Sequence, residues 1–246
     1  MSSSDDAPIG QILTRRELLA SFGAAGVALL SHGSTRKGEV VAPAAVCVVR
    51  PAQVEGPYFV DEKLERSDIR SDPATRVLSP GTPLLLTFRV SRLLRGLCAP
   101  LAGATVDIWH CDALGIYSDE RDEAAGFDSR GKKFLRGYQT TSRAGLARFV
   151  SIYPGWYEGR AVHVHFKIRT AGASGTHHDF TSQLYFNDTL TDRVHARAPY
   201  ATKGKGRLPN AADDIFREQH GPDLILNTTR RGGGYAAIFD VAVSID

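Results

Sequence analysis

The sequence predicts an all-β fold, a two-sheet β-sandwich of about eight strands with long active-site loops and few short helices. Beyond residue 45, apolar runs of strand length alternate with Gly and Pro punctuation, while helical periodicity is sparse. The chain's 246 residues, 42% of them hydrophobic, are enough to bury one good core and do not demand a second domain.

In chain order the predicted strands are 84–90 (LLLTFRV), 105–109 (TVDIW), 134–140 (FLRGYQT) and 147–152 (ARFVSI), then 161–168 (AVHVHFKI), 182–186 (SQLYF), 224–227 (LILN) and 235–243 (YAAIFDVAV). Helix signals are confined to the N-terminal segment, to a turn or two over 191–198, and to 213–219. Between Tyr117 and Phe134 the run SDERDEAAGFDSRGKK is too charged for a core and long for a hairpin, so it is expected to wall a pocket. RRGGG at 230–234 reads as a surface turn.

Residues 1–45 differ from the rest. TRRELLASFGAAGVALL, 14–30, places Arg15 and Arg16 before an apolar stretch of small residues, too short for a comfortable membrane span. This is the pattern of a twin-arginine export signal, with Ala42, Pro43 and Ala44 near the cleavage region. The expected organisation is an export signal and linker at 1–45 and a catalytic domain at 46–246. The processed protein would then be periplasmic or extracellular, with no stable membrane span.

The formal charge of +3 comes from basic residues scattered along the chain rather than striped, which argues against a nucleic-acid partner. Three cysteines make an odd count. Export would allow a bridge between Cys47 and Cys98, worth about 4 kcal/mol in the chain-entropy model, with Cys111 a packed free thiol. A cytoplasmic protein with three reduced cysteines is the other reading.

Chemistry-bearing residues concentrate in YPGWYEGRAVHVHF, 153–166, and VDIWHCDALGIY, 106–117. In an extended segment alternate side chains share a face, so His163 and His165 project together while Val162, Val164 and Phe166 project into a core. Two tyrosines from these segments, Tyr117 with either Tyr153 or Tyr157, lie beside turns and could complete four donors for one metal ion. Phenolate is rare at neutral pH unless a cation displaces the proton, which a trivalent metal does strongly.

HxH on a strand also begins zinc and cupin-type sites, yet no acid follows His165 until Asp179. His110 reads as a half-buried strand residue, and His177 and His178 as loop residues near the pocket mouth. Tyr153, before the Pro-Gly turn, could stand in for Tyr157 as a ligand or be a packing or pocket residue. Trp156 and Tyr58 line a ring-shaped pocket or fill the core, and Asp107 and Asp112 either support the ligands or are solvated at a strand edge.

The run EGPYFVDEKLERSDIR from Glu55, the block VDIWHCDALGIYSD, the block FLRGYQTTSRAGLARFVSIYPGWYEGRAVHVHFKI and the later TSQLYFND resemble the intradiol ring-cleavage dioxygenases over roughly residues 47–190. The class contains catechol 1,2- and protocatechuate 3,4-dioxygenases. The resemblance implies a non-haem Fe(III) centre that opens a catechol-type diol with O2, between its hydroxylated carbons, to a cis,cis-muconate-type diacid. By position it implies that Tyr117 stays bound and that Tyr157 leaves when substrate chelates. His163 and His165 match the imidazoles, Arg160 the arginine over the substrate ring, and Gln183 a supporting amide. Loops at 66–70 and after Tyr117 would choose the catechol. No long helical segment is expected at the front of the mature chain, such as catechol 1,2-dioxygenases use to dimerise, so their oligomeric arrangement is not expected to carry over. An alternative from another class is an extracytoplasmic β-sandwich binding module that kept the scaffold and lost catalysis.

Overall fold

Apolar and polar residues alternate along PLLLTFRVSRLL, and this stretch forms the long strand β1 (Pro83–Leu94), with Leu84, Leu86, Phe88 and Val90 on its buried side. The computed structural model describes residues 47–124, 126–172 and 175–245, all within the second of two compact units. The predicted export segment, with Arg15, Arg16 and the residues around Ala42, lies outside the described residues.

After β1 the chain forms β2 (Leu97–Pro100), β3 (Thr105–Trp109), the two-residue strands β4 (Arg121–Asp122) and β5 (Phe127–Asp128), β6 (Arg136–Thr140), β7 (Leu146–Ile152), β8 (His163–Ala171) and β9 (His177–Tyr185). Helices α1 (Asp188–His195) and α2 (Asp214–Glu218) follow, and β10 (Thr228–Arg231) and β11 (Gly234–Ser244) close the chain.

A five-stranded sheet has β1 at its centre, parallel to β11 and antiparallel to β7 and β2, with β10 outside β11. The four-stranded sheet runs β6-β3-β8-β9, and β4 and β5 form a small ribbon of their own. Phe88 of β1 and Phe239 of β11 meet Phe166 of β8 at ring distances of 5.3 and 5.4 Å, so the core lies between the two sheets. Asn187 caps α1 by accepting from the Leu190 amide, and Asp213 caps α2 by accepting from the Phe216 amide. Cys47 and Cys98 are joined in a disulfide, and Cys111 is a buried free thiol.

The all-β sandwich agrees with the sequence reading, with three corrections. Residues 224–227 are not a strand, because Gly221–Leu224 forms a 3-10 turn and the strand starts at Thr228. β2 and the β4–β5 ribbon, too short for a periodic signal, raise the strand count above eight. His177 and His178 are strand residues, paired with Ala171 and Thr170 at the end of β9 away from His165. As the edge strand β9 is covered on one flank only, so its exposed half takes polar side chains without losing its ladder, and the apolar pattern is missing there.

Candidate metal centre

β8 carries the two histidines. Val164 and Phe166 point into the core, and His163 and His165 share the other face, both buried. Trp109 lies opposite His165 in the β3–β8 register and stacks on its ring at 5.0 Å and 7°. Each tyrosine comes from a loop. The Asp112 carboxylate holds the turn before Tyr117 by accepting from the Leu114 and Ile116 amides at 2.8 and 2.9 Å. The Pro154-Gly155 turn leads to Tyr157, and the Gly155 amide donates to the Asp112 carbonyl at 3.0 Å, which clamps the loops together. Glycine is required at this crossing: a Cβ on Gly155 would lie 2.5 Å from the Ala113 backbone, and Gly115, at φ +86°, would place one 2.2 Å from the Trp156 carbonyl.

Four donor atoms converge. His163 Nε2 lies 2.9 Å from His165 Nε2, 3.2 Å from the Tyr157 hydroxyl and 3.4 Å from the Tyr117 hydroxyl. Ligands about 2.1 Å from one ion and about 90–110° apart stand roughly 3.0–3.4 Å from one another, so this spacing would accommodate one ion. The His163 Nδ1–H donates to the Ala161 carbonyl at 2.6 Å, leaving the Nε2 lone pair toward the cluster. His165 Nδ1 is buried and unpartnered among the described residues. Burial, then the Arg160 charge, holds both imidazoles well below the ordinary histidine range, so they are neutral and fit to ligate. Burial pushes the Tyr157 phenol up to about 12 and the Tyr117 phenol well above its ordinary value, so neither ionises without a cation. No cluster of three or more His, Cys, Asp or Glu occurs among the described residues, so the donors beyond imidazole here are phenols.

Arg160 borders the quartet. Its Nε donates to the fully buried Asp213 carboxylate at 2.9 Å, and its Nη2 donates to Gln183 Oε1 at 2.6 Å and the Tyr185 hydroxyl at 3.3 Å. Asp213 also accepts from the Ala161 amide at 2.7 Å, and Gln183 donates to the Val54 carbonyl at 3.0 Å. The guanidinium is thus fixed from two sides beside the donors. Tyr58 stacks on Tyr117 at 4.3 Å and donates to Asp122 of β4 at 2.5 Å, so the charged loop after Tyr117 does wall the cluster.

The sequence family described as dioxygenase matches residues 54–208, more than half of the chain and inclusive of all four donors, Arg160 and Gln183. The chain belongs to the intradiol ring-cleavage dioxygenases. Solved structures agree. An intradiol ring-cleavage dioxygenase from Tetranychus urticae is 29% identical, with a TM-score of 0.67 over 80% of this chain and 95% of its own. The dioxygenase domain of a dioxygenase carbohydrate-binding protein fusion from Streptomyces sp. SirexAA-E is 28% identical, at a TM-score of 0.56 over 81% and 100% of the two chains. The 3-chlorocatechol 1,2-dioxygenase of Rhodococcus opacus 1CP, 20% identical with a TM-score of 0.55 over 80% and 73%, shares the fold. No curated protein sequence matches the chain.

Other sequence candidates of this intradiol dioxygenase take structural roles. His110 is fully rather than half buried, with Nε2 at 2.6 Å from the Ser151 hydroxyl and Nδ1 at 2.8 Å from the Cys111 carbonyl. Asp107 does not support a ligand: Arg169 grips it with two bonds of 3.0 Å, and burial pushes its pKa up to about 6 against that pull. Asp112 is neither edge-solvated nor on a ligand, since it builds the Tyr117 turn. Tyr153 is buried with its hydroxyl on Thr191 at 2.7 Å, and Trp156 lies under the Lys203 ammonium at 4.6 Å. Residues 66–70 belong to the frame, because Arg66 donates to the Arg136 and Ser71 carbonyls and Ile69 is in the core. Sequence reading missed Asp213, Tyr185 and the Trp109 stack. Asp213 was legible only as the first residue of the helical stretch 213–219.

Proposed function

We propose that the protein is a non-haem Fe(III) intradiol dioxygenase that opens catechol-type aromatic diols with O2 to cis,cis-muconate-type diacids. The observation that carries the reading is the convergence of a second neutral imidazole and two phenols within 3.4 Å of the His163 Nε2, beside a fixed guanidinium. Tyr117, Tyr157, His163 and His165 would hold the ion; two phenolates and a hydroxide balance its charge. Bound there, ferric iron would act as a Lewis acid, favouring loss of the diol protons and withdrawing electron density from the catecholate so that a ring carbon becomes reactive toward O2.

The two tyrosines differ in a way that supports different roles. Tyr117 is 1% exposed beneath the Tyr58 ring, while Tyr157 is only half-buried. Tyr157 is the donor that can swing off, and its oxygen then takes one of the two protons that the diol loses. Arg160 keeps its charge at any relevant pH, and fixed by Asp213 and Gln183 it stabilises negative charge growing on the ring without exchanging protons. Trp109 and Tyr58 exclude water from the histidine and tyrosine faces. The Cys47–Cys98 disulfide supports an oxidising compartment, in keeping with the proposed export.

The reading is tested on purified protein by iron assay, visible spectrum and O2 uptake across a panel of catechols. Stoichiometric iron, a wine-red colour and uptake with at least one catechol are expected, and Tyr117→Phe should shift or abolish the visible band. Full activity in iron-free protein, or an unchanged band in Tyr117→Phe, would sink it.

A further inference from the structure

The outward face of the five-stranded sheet is concave. Leu84, Leu86 and Phe88 of β1 point toward the histidine-bearing sheet, so Leu85, Thr87 and Arg89 point away from it. With residues of β7, β10 and β11 they line a hollow of about 1050 Å³. A second hollow of about 620 Å³, between α1 and β10, adjoins the first through the shared residues Asn227 and Arg230.

The lining is one-sided in charge. Arg89, Arg148, Arg230 and Arg231 line the first hollow and Arg193, Arg197 and Arg230 the second, with no Asp or Glu lining either. Arg89 is paired with Asp240. Arg148, Arg193, Arg197, Arg230 and Arg231 are exposed and have no ion pair among the described residues, although many other arginines of the chain are paired. Five guanidiniums without an ion pair among the described residues, from β7, from α1 and the segment just after it, and from β10, thus line two adjoining hollows that form one groove, assembled by the fold from basic residues scattered along the chain.

We propose that this groove binds a linear polycarboxylate, a polysaccharide chain of the uronic-acid type. Guanidinium forks match carboxylates in two-point contacts, and an array of like charge in a recess concentrates a polyanion. The Asn227, Thr87 and Thr229 side chains add hydroxyl-compatible partners. A second copy of the same face is repelled by like charge. Single-stranded nucleic acid is disfavoured because the lining aromatics, Phe149 and Tyr235, are buried and half-buried and offer no stacking platform. A planar bilayer surface would touch only the rims of a recess. The groove lies on the opposite sheet from the quartet, so binding is independent of the proposed chemistry.

The test is titration of the full chain with sodium polygalacturonate, with neutral dextran, single-stranded DNA and phosphatidylglycerol vesicles as rival probes. Polygalacturonate should bind, more weakly as NaCl is raised. The variants R148S/R230S/R231S and R193S/R197S should each weaken it about tenfold or more, while R95S at the exposed β1–β2 turn leaves it unchanged. All replaced side chains are exposed, so unaltered circular dichroism and O2 uptake should accompany the loss. Absence of binding, binding indifferent to the groove variants, equal binding of dextran, or tighter binding of DNA or vesicles would each overturn the proposal.

Discussion

His110 and His165 are both buried, both lie close to the β3–β8 pair, and both have pKa values pulled down by burial, yet only one belongs to the converging quartet. The His110 nitrogens are both taken, by the Ser151 hydroxyl and the Cys111 carbonyl. His165 has one nitrogen against the His163 imidazole and the other without a partner among the described residues. Burial and a shifted pKa therefore do not distinguish a structural histidine from a ligand. Unspent hydrogen-bonding capacity that converges with other donors does.

The sharpest way to break that contrast is His163→Ala, which removes the nitrogen closest to all three other donors. Iron content should fall away and ring opening drop by roughly 10³-fold or more, read by metal assay and O2 uptake. Retention of both would place the ion elsewhere. Arg160→Ala comes next, since it empties the neighbour and leaves the quartet intact. It should keep iron and the visible band while kcat falls about 10²–10³-fold; unaltered kcat would count against a role over the ring.

His110→Gln should have the smallest effect, and on a different quantity. Iron, colour and kcat should stay, while stability falls by about 1–3 kcal/mol in denaturant melts, because the Ser151 hydroxyl loses its buried partner. The variant should also change the acid limb. Burial holds His110 near about 4, against about 6.5 in the unfolded chain. Between those values only the unfolded state takes up the proton, so stability declines as pH falls through that window. The variant should therefore show a slope shallower by at most about 1.4 kcal/mol per pH unit. An equal slope would mean that His110 titrates normally in the folded protein.

Much of the site was legible before any coordinates. Strand alternation alone put His163 and His165 on one face, because the strand period is two and needs no tertiary information. The family resemblance added Tyr117, Tyr157, Arg160 and Gln183, all of which lie at the cluster. The sequence could not show the Arg160–Asp213 pair, because 53 residues separate its members and Asp213 looks like the first residue of an ordinary helical stretch. Nor could it show that Asp107 belongs to Arg169, since a carboxylate on a strand has the same pattern whether it faces a ligand or an arginine on the next strand. His177 and His178 misled because an edge strand needs no apolar run.

By itself, then, the sequence determined the all-β class, the histidine face and the family, since these rest on local periodicity and short motifs. Only tertiary structure decided which side chains converge, which histidine is already satisfied, and that scattered arginines line one groove. Those are properties of distance in space, and distance between segments remote along the chain is set by how two sheets pack and how two glycine-bearing loops cross.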